Sequence, residues 1–257
     1  VKHFARVLSL APSVLLVSCG GGGGYSGGGS NPQNASPGGI WSGADSDSPL
    51  QVTGIIDESG SLRFIRADGV QYVGTAMTSG NSISANFDAY TPFGSTFADG
   101  SSHETGTLTG SIAARISISA STQSMTDKGA VSKGTLALTF NPLYNQASSL
   151  AAIAGNYAEA GSGTAVSIDA SGAIFSQDAT TGCVVNGTAT IINASYDAYR
   201  VQATYASCTG APAVLNGITF SGLATLDTSV SPMQLIAGVT GSGGGATYAI
   251  VYTLTHQ

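Results

Sequence analysis

The chain has 257 residues, and only 9% of them are charged, far below the roughly 25% of an average soluble domain. Hydrophobic residues reach 42% and Gly contributes 36 positions, a balance that excludes simple disorder and predicts short Gly-bounded strands with tight turns. Two of the eight basic residues, Lys2 and Arg6, precede Cys19, which leaves six basic against fourteen acidic residues, or −8; that balance argues against nucleic acid and against a polybasic grip on anionic lipid.

In chain order, Lys2 and Arg6 form a basic n-region, and Val7 to Val17 is apolar apart from Ser9, Pro12 and Ser13. That run is shorter than the roughly 20 residues a spanning helix needs and suits a signal-peptide h-region. It ends in Leu16-Val17-Ser18-Cys19, a bacterial lipobox, which predicts a signal over 1–18 and a diacylglycerol on the Cys19 thiol, hence a lipid-anchored chain. Gly20, where an Asp commonly retains lipoproteins in the inner membrane, favours the outer membrane, with either a surface or a periplasmic orientation. Residues 20–38 are Gly- and Ser-rich and predict a flexible tether reaching roughly 25 Å. Gly24-Tyr25-Ser26-Gly27-Gly28 formally matches a nucleophile elbow, but poly-Gly supplies neither the strand nor the helix that the motif needs. Asp45 and Asp47 offer two carboxylates for Ca²⁺, too few for a strong site, and read as a solvated loop.

The remainder contains an internal repeat. Ile56-Asp57-Glu58-Ser59-Gly60-Ser61-Leu62 returns as Ile168-Asp169-Ala170-Ser171-Gly172-Ala173-Ile174, and Gly74-Thr75-Ala76 as Gly187-Thr188-Ala189. Leu108-Thr109-Gly110 matches Phe220-Ser221-Gly222, Thr135–Phe140 matches Thr247–Tyr252, and Gly39-Ile40-Trp41 matches Gly155-Asn156-Tyr157. A period this long predicts two duplicated domains, 39–147 and 148–257, rather than a solenoid. Leu136, Leu138 and Phe140 share one face of a period-2 pattern, as a half-buried strand does. Strands are expected near 40–42, 51–56, 62–66, 70–78, 82–90, 105–112, 114–121 and 134–140, and again in the second half. About eight short strands in about 110 residues suit an up-and-down antiparallel barrel, an all-β fold, with a β-sandwich as runner-up. The Asp-x-Ser-Gly segments read as hairpin turns. Between the halves, residues 146–155 predict a short helix capped by Ser148 or Ser149 and stopped by Gly155.

Cys183 and Cys208 are the cysteines beyond Cys19 and predict a disulfide in an exported chain. Their midpoint, Ser195, lies in a turn-like segment, Asn193–Asp197, so a hairpin centred there makes them cross-strand neighbours and sets Thr190 near Val201, with room for a one-residue bulge. Cα atoms roughly 4.4–6.8 Å apart are expected. No catalytic or metal-binding set stands out. His3 falls in the signal, His103 in a polar loop and His256 after the last strand pattern, each read as surface. No cofactor is expected. Trp41 and Tyr157, at matching starts of the halves, are expected to plug barrel ends rather than line a cavity.

Lipobox, poly-Gly tether and Gly-rich barrel halves together resemble surface lipoproteins of Gram-negative bacteria, of the transferrin-binding-protein B and factor H-binding type with small eight-stranded barrels. The likeness is one of layout, and no binding residue carries over. Gly182-Cys183, Asn186-Gly187-Thr188, Tyr199-Arg200-Val201 and Asn216-Gly217 before Phe220-Ser221-Gly222-Leu223 are similar to uncharacterised proteobacterial lipoproteins, over about residues 148–257. These readings imply a non-enzymatic outer-membrane lipoprotein presenting two binding or adhesion barrels to a protein partner. The alternative is a periplasmic lipocalin-like carrier of a small apolar ligand, favoured by a cavity of roughly 300 Å³ or more and opposed by a filled lumen in both halves.

Overall fold

The structure, a computed structural model, describes residues 33–46 and 48–257. Cys19, the signal, the tether as far as residue 32, the Gly24–Gly28 motif, His3 and Asp47 lie outside the described residues. The alternating apolar pattern folds as two closed antiparallel barrels of eight strands each, linked up-and-down. The first runs β1 (Gly39–Asp45), β2 (Ser48–Ile56), β3 (Ser61–Arg66), β4 (Gln71–Ser79), β5 (Ser82–Tyr90), β6 (His103–Ala113), β7 (Ser117–Thr126) and β8 (Val131–Asn141). The second runs β9 (Gly155–Glu159), β10 (Ala165–Ile168), β11 (Ala173–Gln177), β12 (Val184–Ile191), β13 (Tyr199–Ala206), β14 (Thr219–Asp227), β15 (Gln234–Gly243) and β16 (Ala246–His256). Closure pairs β1 with β8 and β9 with β16. Followed once around, the two strand registers close with the same stagger, so both barrels share one strand tilt and one diameter.

The Asp-x-Ser-Gly segments are turns, as predicted, and they are built alike. Asp57 Oδ1 accepts from the amides of Ser59 (2.9 Å) and Ser61 (3.0 Å); Asp169 Oδ1 accepts from those of Ser171 (2.7 Å) and Ala173 (3.0 Å). Gly60 and Gly172 follow at φ of 90° and 85°, a region that costs other residues strain.

The link between the barrels is less helical than residues 146–155 suggest. Pro142–Asn145 is a 3₁₀ turn, and only Leu150–Ile153 forms α-helix. Ser149 is the cap, accepting from the Ala152 amide at 3.1 Å, while Ser148 donates to Asn193 O. Gly155 does not stop the helix from outside: it already belongs to β9 and pairs with Ile168, so sheet formation claims the backbone that would have extended the helix.

Gln33–Gln257 forms one compact unit. The outer faces of β1 and β2 bring Ile40 and Ile55 against Ala198 and Leu223 of the second barrel, with Tyr144 between them. Beside this apolar seam, Arg63 on β3 is buried and donates to Gln71 Oε1 (2.7 Å), Ser221 O (3.1 Å) and Thr240 Oγ1 (3.3 Å). Desolvation brings its pKa down to about 10, so it still enters the interface charged at neutral pH. Gly238 makes the approach possible, since a Cβ there would stand 2.9 Å from Arg63 Cδ and from Gln71 Oε1.

Candidate functional site: two barrel lumens

Each barrel has a packed end and an open end. In the first, Trp41 is fully buried, donates from Nε1 to Pro37 O at 3.1 Å, and meets Phe140 edge-on at 5.5 Å between centroids. In the second, Tyr157 is equally buried, donates to Ile153 O at 2.8 Å, and meets His256 edge-on at 5.2 Å. Trp41 and Tyr157 therefore plug, as expected, and neither lines a cavity. His256 departs from its surface reading: it sits against Tyr157 as Phe140 sits against Trp41. Phe140 pairs with Trp41 and His256 with Tyr157, so Phe140 corresponds to His256 and not to Tyr252.

The first lumen opens into a cavity of about 350 Å³. Leu62, Phe64, Phe87, Leu108 and Leu136 form its apolar wall, and the ends of β1, β3, β6 and β7 with their turns form a polar rim. The rim follows from strand alternation: Leu62, Phe64 and Arg66 share the inner face of β3, and Glu104, Gly106 and Leu108 that of β6. Arg66 donates to Asp68 through two hydrogen bonds (2.9 and 2.8 Å) and to Tyr72 Oη (3.2 Å). The bonds to Asp68 hold its guanidinium pKa above the ordinary range, and burial pushes the Tyr72 phenol up to about 12. Glu104, buried, accepts from Ser124 Oγ at 3.1 Å. Asp99 accepts from Thr126 and Ser101, bonds that hold it down to about 2. Asp45, read from sequence as a solvated loop residue, lines this cavity.

The second lumen holds a cavity of about 220 Å³ with Val166, Ile168, Ile174, Val185, Leu235 and Leu254 in its wall. Cys183 lines it and stands at disulfide distance from Cys208, as predicted, with Cα atoms 3.9 Å apart, closer than the expected range. The hairpin register differs by one residue: Thr190 pairs with Arg200, and Val201 with Ala189. In this register Cys183 faces Ser207, whose backbone turns left-handed (φ 59°) just past the end of β13, and Cys208 lies one position off the directly opposed pair. Cys208 and Asn216 exchange hydrogen bonds of 2.8 and 3.0 Å, which cinch the 3₁₀ segment Ala211–Leu215 over the mouth, where Pro212 and Leu215 meet the cavity.

His103 has both ring nitrogens occupied. Both ring nitrogens engage carboxylates, Nδ1 with Asp127 at 2.8 Å and Nε2 with Asp88 at 3.0 Å, whereas a triad leaves one nitrogen facing a nucleophile. Among the described residues, no group of three or more His, Cys, Asp or Glu is placed to hold a metal ion, and no helix is long and apolar enough to cross a membrane. The rim residues Arg66, Tyr72 and Glu104 were not singled out from sequence; the available signal was a polar residue falling on an otherwise apolar strand face. No family model matches the chain, and no curated protein matches it.

Proposed function

We propose that this chain is a non-enzymatic, lipid-anchored binding protein of the outer membrane that holds a small amphipathic molecule in the lumen of its first barrel. One observation carries the reading: a cavity of about 350 Å³ with apolar walls and a rim of Arg66, Tyr72 and Glu104, within the size range of small-molecule sites. An apolar body fits among Phe64, Phe87 and Leu108, and a polar head meets the rim. Ligand capture inside a barrel moves the weight from adhesion to the carrier reading, with the lipid on Cys19 as anchor. The test is calorimetric titration with 2-phenylethylammonium and phenylacetate, which share a body and differ in head charge. Saturable 1:1 binding of at least one, abolished by Thr122→Trp, is the expected result. Binding of neither sinks the carrier reading.

A further inference from the structure

We infer that the second barrel is a separate binding site for a small, uncharged, largely apolar molecule, and that the first barrel supplies part of its wall. The inference stands on the second cavity and one loop, independently of what the first cavity binds.

The chemistry of the second cavity differs from that of the first. Its strand-borne wall is largely aliphatic. The carboxylates at its edge are engaged locally: Glu159 accepts from Ser162 Oγ at 2.6 Å, and Asp178 from the Thr180 amide at 2.8 Å and from Thr181 Oγ1. An anion entering the lumen therefore loses water and meets like charges, and a cation finds these carboxylates only at the edge while its buried part gains no partner from the wall, a cost that disfavours both. An uncharged aromatic or branched hydrocarbon loses nothing of that kind. Tyr205 and Tyr252, whose hydroxyls face each other, add one polar spot in the wall, enough to orient a single hydroxyl or carbonyl group.

The wall is completed from outside the barrel. The loop 91–102, between β5 and β6 of the first barrel, crosses to the second, where the Phe93 amide donates to Ala249 O at 3.2 Å and its ring meets Tyr248 edge-on at 5.7 Å. Phe93 lines the second cavity, while Phe97, Ala98 and Asp99 of the same loop line the first. One loop thus borders both mouths, which explains why a large apolar side chain sits on a connection between strands.

The probe is toluene, with benzylammonium and benzoate as charged counterparts, titrated into the full disulfide-bonded chain and followed by ligand-observed NMR. Toluene is expected to bind at least tenfold more tightly than either ion. Phe93→Ala is expected to weaken it by about two- to tenfold, the range of one edge-to-face aromatic contact. Ala237→Leu, which fills the lumen, is expected to abolish it, while the first-barrel filler Thr122→Trp leaves it unchanged. Should Ala237→Leu fail to fold, electron density for toluene or xenon in the second lumen of the unsubstituted protein serves instead. Equal binding of the ions, loss with Thr122→Trp, or an empty second lumen overturns the inference. Because 2-phenylethylammonium and phenylacetate report the first cavity separately, that failure is distinguishable from failure of the first-barrel reading.

Discussion

The two barrels share one plan and differ in what they put inside it. At the packed ends the plan is kept: Trp41 on Phe140 in one, Tyr157 on His256 in the other. At the open ends it is not. Ala89 pairs with Glu104 in the first barrel; by strand register, which sets Phe220 level with Gly106 rather than with Leu108, the equivalent place in the second has the Tyr205 amide donating to Ile218 O, so an inward carboxylate is replaced by an apolar side chain. Val70 in the first corresponds to the disulfide-bonded Cys183. Outer faces diverge as well. Ile40, Ile55 and Arg63 dock the first barrel, whereas the equivalent Asn156, Ser167 and Phe175 of the second face solvent or lie half-buried. The two barrels agree at the packed end and differ at the open end and on the outer surface.

The largest expected effect tests the shared end. Trp41→Ala should cost about 3–5 kcal/mol in denaturant unfolding, against about 1 kcal/mol for Tyr157→Phe, which removes only the bond to Ile153 O. Next comes the asymmetric cross-link. Replacing Cys183 and Cys208 by Ala should destabilise the second barrel by about 3 kcal/mol; hydrogen exchange should quicken there and stay unchanged in β1 to β8. Labelling of the unreduced, unfolded chain should find neither thiol free. Arg63→Ala should cost about 2 kcal/mol, because it strips Gln71 of a buried partner, while Phe175→Ala, at the same place in the second barrel, should change stability by less than about 0.5 kcal/mol. Smallest is a pH effect confined to the first barrel. Burial alone would lower the pKa of His103; its bonds to Asp88 and Asp127 outweigh that and raise it above 6.5. The imidazolium clamp thus contributes fully below about pH 6.5 and is lost as pH rises through the raised pKa. His103→Gln should remove this slope from the melting temperature between acidic and neutral pH; an unchanged slope would place its origin elsewhere.

The strand plan was legible because period-2 alternation is a local property: each barrel strand carries its inner face in its own residues. What alternation cannot fix is correspondence between copies. Any even shift keeps the same residues inward, so the last strands matched as Phe140 to Tyr252 as readily as to His256. The connection between β14 and β15 (228–233) is three residues longer than that between β6 and β7 (114–116), one of several connections whose lengths differ between the barrels. The disulfide was legible from spacing, because a hairpin and its turn are local; the one-residue offset of the whole β12–β13 register was not. Arg63 and Arg66 stand three residues apart on one strand, yet one docks a barrel and the other rims a cavity. That distinction comes from which face meets a neighbour, and no single strand encodes it.

Closure also sets an order of events in time. The pair that seals the first barrel joins Ile40 to Asn141, and the pair that seals the second joins Tyr157 to His256. Neither sheet can close until its last strand has been delivered, and until then β1 or β9 presents a bare edge able to pair with another chain. Contacts this distant in sequence make folding slow, on the millisecond-to-second scale of barrel and sandwich topologies. A chain of this design spends its most vulnerable interval with seven strands laid down and an eighth still to come.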